Sequence, residues 1–219
     1  MTPPETIFPT DLFEEGRRAM PLQPGAMLLG GFASPGADAL LADLHRVAEV
    51  APFRKMVTPG GWQMSVAMTN CGSLGWMTDR TGYRYDALDP WTGNPWPEMP
   101  ETFRCLAERA AEVAGYARFD PDSCLMNRYE PGSRLSLHQD RNERDFDAPI
   151  VSVSLGLAAT FLWGGATRSG KPMRVRLFHG DVVVWGGPAR LTFHGVDTLR
   201  GSVSLAGEFR YNLTFRAAR

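Results

Sequence analysis

From Ser123 to the C-terminus the chain repeats one pattern, short runs in which apolar and polar residues mostly alternate. The runs are "SCLMNRYE", "RLSLHQD", "PIVSVSLG", "TFLWGG", "MRVRLFH", "DVVVWGG", "RLTFHGV" and "EFRYNLTFR", separated by "PG", "GG", "SGKP" and "GGP" turns. Eight such runs predict a sandwich or jelly roll over residues 123–217. Ahead of them, "SPGADALLADLHRVAEVAP" predicts a helix. Ser34 is its cap, Pro35 suits its first turn, Leu40, Leu41, Leu44, Val47 and Ala48 form its apolar stripe, and Pro52 ends it. A second helix, "PETFRCLAERAAEVAGY", has Pro100 near its start and Gly115 at its C-cap. The fold class is therefore mainly β with flanking helices (α+β). Residues 1–25 read as a loose arm and 26–219 as one domain. Residues 53–98 are dense in Gly, Pro, Met and aromatics, including Trp62, Trp76, Tyr83, Tyr85, Trp91 and Trp96. A loop-rich segment this long inside one domain is usually functional, and a lid is expected here.

Composition narrows the function classes. No apolar run approaches the roughly 18 residues of a membrane span, and the N-terminus lacks a secretory pattern, so the cytoplasm is expected and a membrane is not. Three cysteines without a CxxC pair point to reduced structural thiols rather than a disulfide or zinc framework. A net charge of −1 argues against gripping nucleic acid by bulk electrostatics, while leaving room for a local basic groove. Arginine outnumbers lysine 21 to 2, and guanidinium suits bidentate contact with carboxylate or phosphate.

Side chains two apart on a strand share a face, so His138 and Asp140 project together. Three other histidines exist. His45 lies on the polar side of the first helix, and His179 precedes a strand where it caps a turn. His194, near the end of a late strand, faces inward if Leu191 and Phe193 face the other way. His138, Asp140 and His194 would form a two-histidine, one-carboxylate triad with open coordination positions, the ligand set of non-heme Fe(II) oxygenases. Catalytic zinc accepts the same ligands and competes. In "RYNLTFR" the same period-two rule puts Arg210, Asn212, Thr214 and Arg216 on one face. Two inward arginines require an anion, and 2-oxoglutarate fits, with one carboxylate for an arginine and the keto-acid end for iron.

The block "MNRYEPGSRLSLHQD", with "PIVSVSLG", "HGDVVVWGG", "RLTFHGV" and "RYNLTFR", resembles the AlkB family of Fe(II)/2-oxoglutarate dioxygenases, most closely its bacterial DNA-repair members. "FRKMVTPGGWQMSVAMTNCG" and "LGWMTDRTGYRY" extend the resemblance into the lid, so that it covers roughly residues 25–217. It implies a double-stranded β-helix (jelly roll) under an N-terminal nucleotide-recognition lid. It implies that His138, Asp140 and His194 are iron ligands and that Arg210, helped by Tyr129, binds the distal carboxylate of 2-oxoglutarate. Asn127, Asn212 and Arg216 would complete that pocket near the keto-acid end. Trp76 would stack on the damaged base, with Tyr83 also holding substrate and Arg168 contacting the base. Thr58, Trp62 and Met68 would line the substrate path, although Trp62 stands where the bacterial members carry another aromatic.

The implied reaction consumes O2 and 2-oxoglutarate, hydroxylates an N-methyl group, and releases formaldehyde, succinate and CO2. The substrate is a methylated base in single-stranded DNA or flipped from a duplex, and the enzyme a monomer. Arg54, Lys55, Arg80, Arg84, Arg134 and Arg141 are candidate phosphate contacts. Asn142 departs from the bacterial pattern, which has an acidic residue facing the base. An amide loses charge attraction for cationic 1-methyladenine and 3-methylcytosine, which implies relatively better tolerance of neutral etheno adducts. Three alternatives stand beside this reading: a demethylase of RNA or tRNA, a hydroxylase of small molecules, and a non-catalytic cupin-like binding module.

Overall fold

The computed structural model describes residues 19–200 and 208–219. β1 (Ala19–Gln23) and β2 (Ala26–Leu29) form a hairpin. A short 3-10 turn leads into helix α1 (Ala37–Val50), and β3 (Ala67–Gly72), β4 (Gly75–Asp79) and β5 (Gly82–Asp86) precede α2 (Glu101–Val113). The eight runs from Ser123 onward are all strands: β6 (Ser123–Tyr129), β7 (Leu135–His138), β8 (Ile150–Gly156), β9 (Ala159–Trp163), β10 (Met173–Leu177), β11 (Val182–Trp185), β12 (His194–Val196) and β13 (Arg210–Arg216).

They divide into a larger sheet, β1-β2-β11-β8-β13-β6-β3, and a smaller one, β10-β9-β12-β7. All described neighbours are antiparallel, and β4–β5 forms a sheet of its own. Alternation along the strands decides which side chains meet which layer. Val182 and Val184 of β11, with Leu213 and Phe215 of β13, pack against Leu40, Leu44, Phe103 and Ala107 of the two helices. Val183 and Trp185 turn the other way, towards Phe161, Trp163 and Val196 of the smaller sheet. Each fully buried Val, Leu or Phe contributes about 1.5–3 kcal/mol, so both interfaces are strongly held. On β13 the face opposite Leu213 and Phe215 carries Arg210, Asn212, Thr214 and Arg216, all buried. A strand that is apolar towards the helices and polar towards the opposing sheet leaves a functional interior.

Four expectations change. Ala19–Gln23, read as part of a loose arm, is an edge strand paired with β2; the rest of the arm, 1–18, lies outside the described residues. Its turn needs Gly25, at φ +81°, because a Cβ there would sit 2.5 Å from the Gly186 carbonyl oxygen. Ser34 makes no capping bond, since the chain enters α1 through a 3-10 turn and Gly36 takes the N-cap position. Within the segment 53–98 expected to be a lid, β3 is an edge strand of the larger sheet. Finally, β7 stops at His138 and β12 begins at His194. Asp140 is therefore placed by the turn after β7, not by strand alternation.

Candidate active site

His138 and His194 are register partners across β7 and β12, which brings their ring centroids to 4.4 Å. Asp140 closes the group: its Oδ1 lies 3.6 Å from His138 Nε2 and its Oδ2 3.8 Å from His194 Nε2. One ligand atom from each residue falls within 4.8 Å of the others, a spacing that one ion can bridge. Each histidine donates Nδ1–H to a carbonyl two residues back, His138 to Ser136 at 2.9 Å and His194 to Thr192 at 3.0 Å. That fixes the tautomer with Nε2 free for a metal. Burial, reinforced by the neighbouring His138, pulls the His194 pKa down to about 4, so it is neutral at pH 7, as a ligand must be. Burial alone would raise the Asp140 pKa. Arg216 overrides it through Nε and Nη2, which donate to Oδ2 at 3.0 and 2.7 Å, and the carboxyl is held well below its usual range.

Beneath the triad lies a cationic floor. Arg210 is fully buried, its guanidinium carbon 4.9 Å from the Tyr129 ring centroid. Nη2 donates to Ser154 Oγ at 3.1 Å, while Nε and Nη1 have no partner among the described residues. Burial pushes its pKa down. Arg216 Nη1 and Asn127 Oδ1 are likewise unpartnered. Asn212 joins Asn127, accepting from its Nδ2 at 3.2 Å, and donates to Ser152 Oγ at 2.8 Å. Buried donors without acceptors cost about 1–3 kcal/mol each, so this floor fits a small dianion such as 2-oxoglutarate, and the N,N,O triad above it fits iron(II).

The β4–β5 hairpin forms the roof. Trp76 and Tyr83 stack at 5.8 Å with 25° between their planes. Trp76 is positioned by Asn70, whose amide bonds both its N–H and its carbonyl at 3.0 Å, and its indole N–H donates to Asn142 Oδ1 at 3.4 Å. Thr58, Met68 and Arg168 line the same cavity of about 930 Å³ as the triad and the arginines, and so does Trp62, a residue 79% exposed. The cavity thus gathers every site residue read from the sequence. The candidate phosphate contacts divide. Arg134 and Arg141 reach its rim. Arg54 is committed to Asp89 and Trp91, Arg84 to Asp79 and Asp86, and Lys55 to Glu130. Arg80 is exposed.

Residues 25–216 match the family model described as the 2OG-Fe(II) oxygenase superfamily. Alpha-ketoglutarate-dependent dioxygenase AlkB of Salmonella typhimurium is 57% identical over 95% of this chain and 97% of its own length. The chain belongs to the AlkB family. As a 2OG-Fe(II) oxygenase of that family it is a dioxygenase using iron(II), 2-oxoglutarate and O2. The solved structure of OsALKBH1 superposes with a TM-score of 0.75 at 28% identity, covering 90% of this chain and all of that one. Nucleic acid dioxygenase ALKBH1 of Mus musculus is 32% identical over 56% of this chain and 31% of its own length.

Three further residues beside the triad, Tyr85, Glu143 and Arg190, have no role that the local sequence assigns, and two of them, Glu143 and Arg190, are buried. Glu143 sits in a charged stretch that looks like solvated loop, yet its side chain is 1% exposed. Its Oε2 accepts from Arg190 Nη2 at 3.0 Å, and its Oε1 from the Tyr85 hydroxyl at 2.5 Å. Arg190 also donates to the Asp140 carbonyl at 2.7 Å. Only the return of β12 and of the hairpin to the same turn makes these residues neighbours.

Proposed function

We propose that the enzyme oxidatively demethylates N-alkylated bases of the 1-methyladenine and 3-methylcytosine type in DNA, releasing formaldehyde, succinate and CO2. The observation that carries this reading is one cavity shared by a metal-ligating triad, two buried arginines with unused donors and a stacked aromatic pair. The description of the mouse relative as a nucleic acid dioxygenase supports a nucleic-acid substrate.

His138, Asp140 and His194 would hold iron(II), which with 2-oxoglutarate and O2 supplies the oxidation of one methyl C–H bond. Arg210 would take the distal carboxylate of 2-oxoglutarate with Tyr129 packed on its guanidinium, while Asn127, Asn212 and Arg216 Nη1 border the keto-acid end. Arg216 also keeps Asp140 ionised and oriented. Trp76 and Tyr83 would hold the base by stacking, worth about 1–3 kcal/mol per base. Thr58, Trp62, Met68 and Arg168 line its approach, and Asn142 faces its edge. A base inside a duplex must be flipped to reach the triad, and a single strand presents it directly. The enzyme acts as a cytoplasmic monomer; among the described residues no helix is long and apolar enough to cross a membrane.

The test offers 1-methyladenine in single-stranded DNA, duplex DNA and RNA with iron, 2-oxoglutarate and ascorbate. Methyl loss from DNA with matching formaldehyde and succinate, abolished in His138→Ala, is the expected result. Methyl loss confined to RNA would move the function to the RNA alternative. Ligand binding without turnover would leave only a binding module.

A further inference from the structure

Asn142 and Glu143 follow the metal ligand Asp140 by two and three residues, and each meets one member of a cross-strand pair in the hairpin. Trp76 and Tyr85 are opposite each other in the β4–β5 register, so both point to one face. The Trp76 indole reaches Asn142 by a long bond of 3.4 Å at an exposed position. The Tyr85 hydroxyl reaches Glu143 by a short bond of 2.5 Å onto a buried carboxylate. Glu143 is joined back to Asp140 twice. Arg190 bonds Glu143 Oε2 and the Asp140 carbonyl, while Arg216 bonds Asp140 Oδ2 and lies 3.4 Å from Glu143 Oε1. Two carboxylates and two guanidiniums thus neutralise each other in one buried cluster built on a metal ligand. Tyr85 is the uncharged group through which the hairpin joins it.

We propose that Tyr85 is a positioning residue whose hydroxyl, held by Glu143, sets the place of Trp76 above the metal triad. The inference rests on the demethylase reading for what Trp76 holds. A two-stranded hairpin is marginally stable in water by itself, so its pose depends on what ties it down. Asn70 ties β4 to the larger sheet through the Trp76 backbone. The ring of Trp76 packs partly buried against the inner core, and its specific contacts, an exposed bond to Asn142 and a stack on half-exposed Tyr83, are weaker holds. A short hydrogen bond to a buried carboxylate is the stronger hold, and β5 transmits it to the residue opposite.

Tyr85→Phe removes one oxygen and leaves Glu143 its two arginines. It should raise KM for a methylated oligonucleotide about tenfold, the scale of one lost hydrogen bond to a charged group, with kcat within about twofold. Anaerobic binding of the same oligonucleotide to the Mn(II)/2-oxoglutarate form should weaken by the same factor, with 2-oxoglutarate affinity unchanged. In a Trp76→Ala background the substitution should add nothing, because contacting residues in one chain of action are not additive. Amide exchange over residues 75–86 of the substrate-free enzyme should quicken in Tyr85→Phe while the jelly roll is unaffected. Wild-type oligonucleotide binding, an undiminished penalty in the Trp76→Ala background, or unchanged hairpin exchange would each overturn the proposal. A wild type that leaves the methyl group in place would overturn the demethylase reading, and hairpin exchange would still decide the role of Tyr85.

Discussion

Arg210 concentrates the chemistry of the site in one side chain. A guanidinium buried to 1% exposure, with two nitrogens unpartnered among the described residues, is tolerable only if an anion completes it. Arg210→Ala should therefore weaken 2-oxoglutarate binding about 100-fold, as expected for losing a bidentate charge-assisted contact, and leave metal affinity within about threefold. Anaerobic calorimetry with Mn(II) separates the two, and equal 2-oxoglutarate affinities would contradict the assignment. On the proposed reading, Asn142 bears on a different choice. It accepts from the Trp76 indole at the edge of the slot. Asn142→Asp would add a charge there worth about 1 kcal/mol at 4 Å in water, or about fivefold. Its effect on Trp76 is common to every lesion, so the ratio of 1-methyladenine to etheno-adenine repair isolates the charge. That ratio should rise about fivefold or more in Asn142→Asp, and an unchanged ratio removes Asn142 from lesion selection.

Among the elements, the β4–β5 hairpin forms a sheet of its own, anchored to the rest of the fold by the buried Met77 and by Asn70. Gly75 lets it dock: a Cβ there would lie 2.4 Å from Cε2 and Nε1 of Trp96, a buried ring that itself donates to the Asp86 carbonyl. Gly75→Ala must push the hairpin away from Trp96, at the roughly 1–3 kcal/mol typical of overpacking. Substrate KM should rise while 2-oxoglutarate binding to the metal form stays as in the wild type; loss of both would mean that hairpin and jelly roll are not separable. The elements also differ in how well the sequence announces them. All eight runs after Ser123 are legible, because alternation and turn residues are local properties. The membership of β1 and β3 in the larger sheet is not legible, since it depends on β2 and β6 arriving beside them. Likewise the triad and both arginines can be read from spacing and resemblance, whereas the Tyr85–Glu143–Arg190 cluster joins three distant segments, and nothing in the spacing within any one of them brings the three side chains together.

For the molecule as a whole, the two layers of the larger sheet perform opposite tasks. Its outer face buries apolar side chains against α1 and α2, and its inner face presents Arg210 and Arg216 to a cavity of about 930 Å³ that His138 and His194 of the smaller sheet, with Asp140 after β7, complete. Both faces contribute stability, but function is placed only on the inner one, where unused donors and free Nε2 atoms make the ligand-free protein less stable than it could be. A ligand that binds only the folded chain stabilises it by RT ln(1 + [L]/Kd), about 2.7 kcal/mol at 100 times Kd. At about 2–4 °C per kcal/mol for a domain of this size, Mn(II) with saturating 2-oxoglutarate should raise Tm by about 5–10 °C. The two contributions come from different residues. In His138→Ala the metal increment should vanish and take most of the 2-oxoglutarate increment with it, because the keto-acid end would lose the metal that His138, Asp140 and His194 would hold. In Arg210→Ala the metal increment should survive and the 2-oxoglutarate increment should largely disappear. Thermal scans of the three proteins with neither ligand, with Mn(II) alone and with both distinguish these patterns. A full 2-oxoglutarate increment in Arg210→Ala would mean that the dianion sits elsewhere in the cavity.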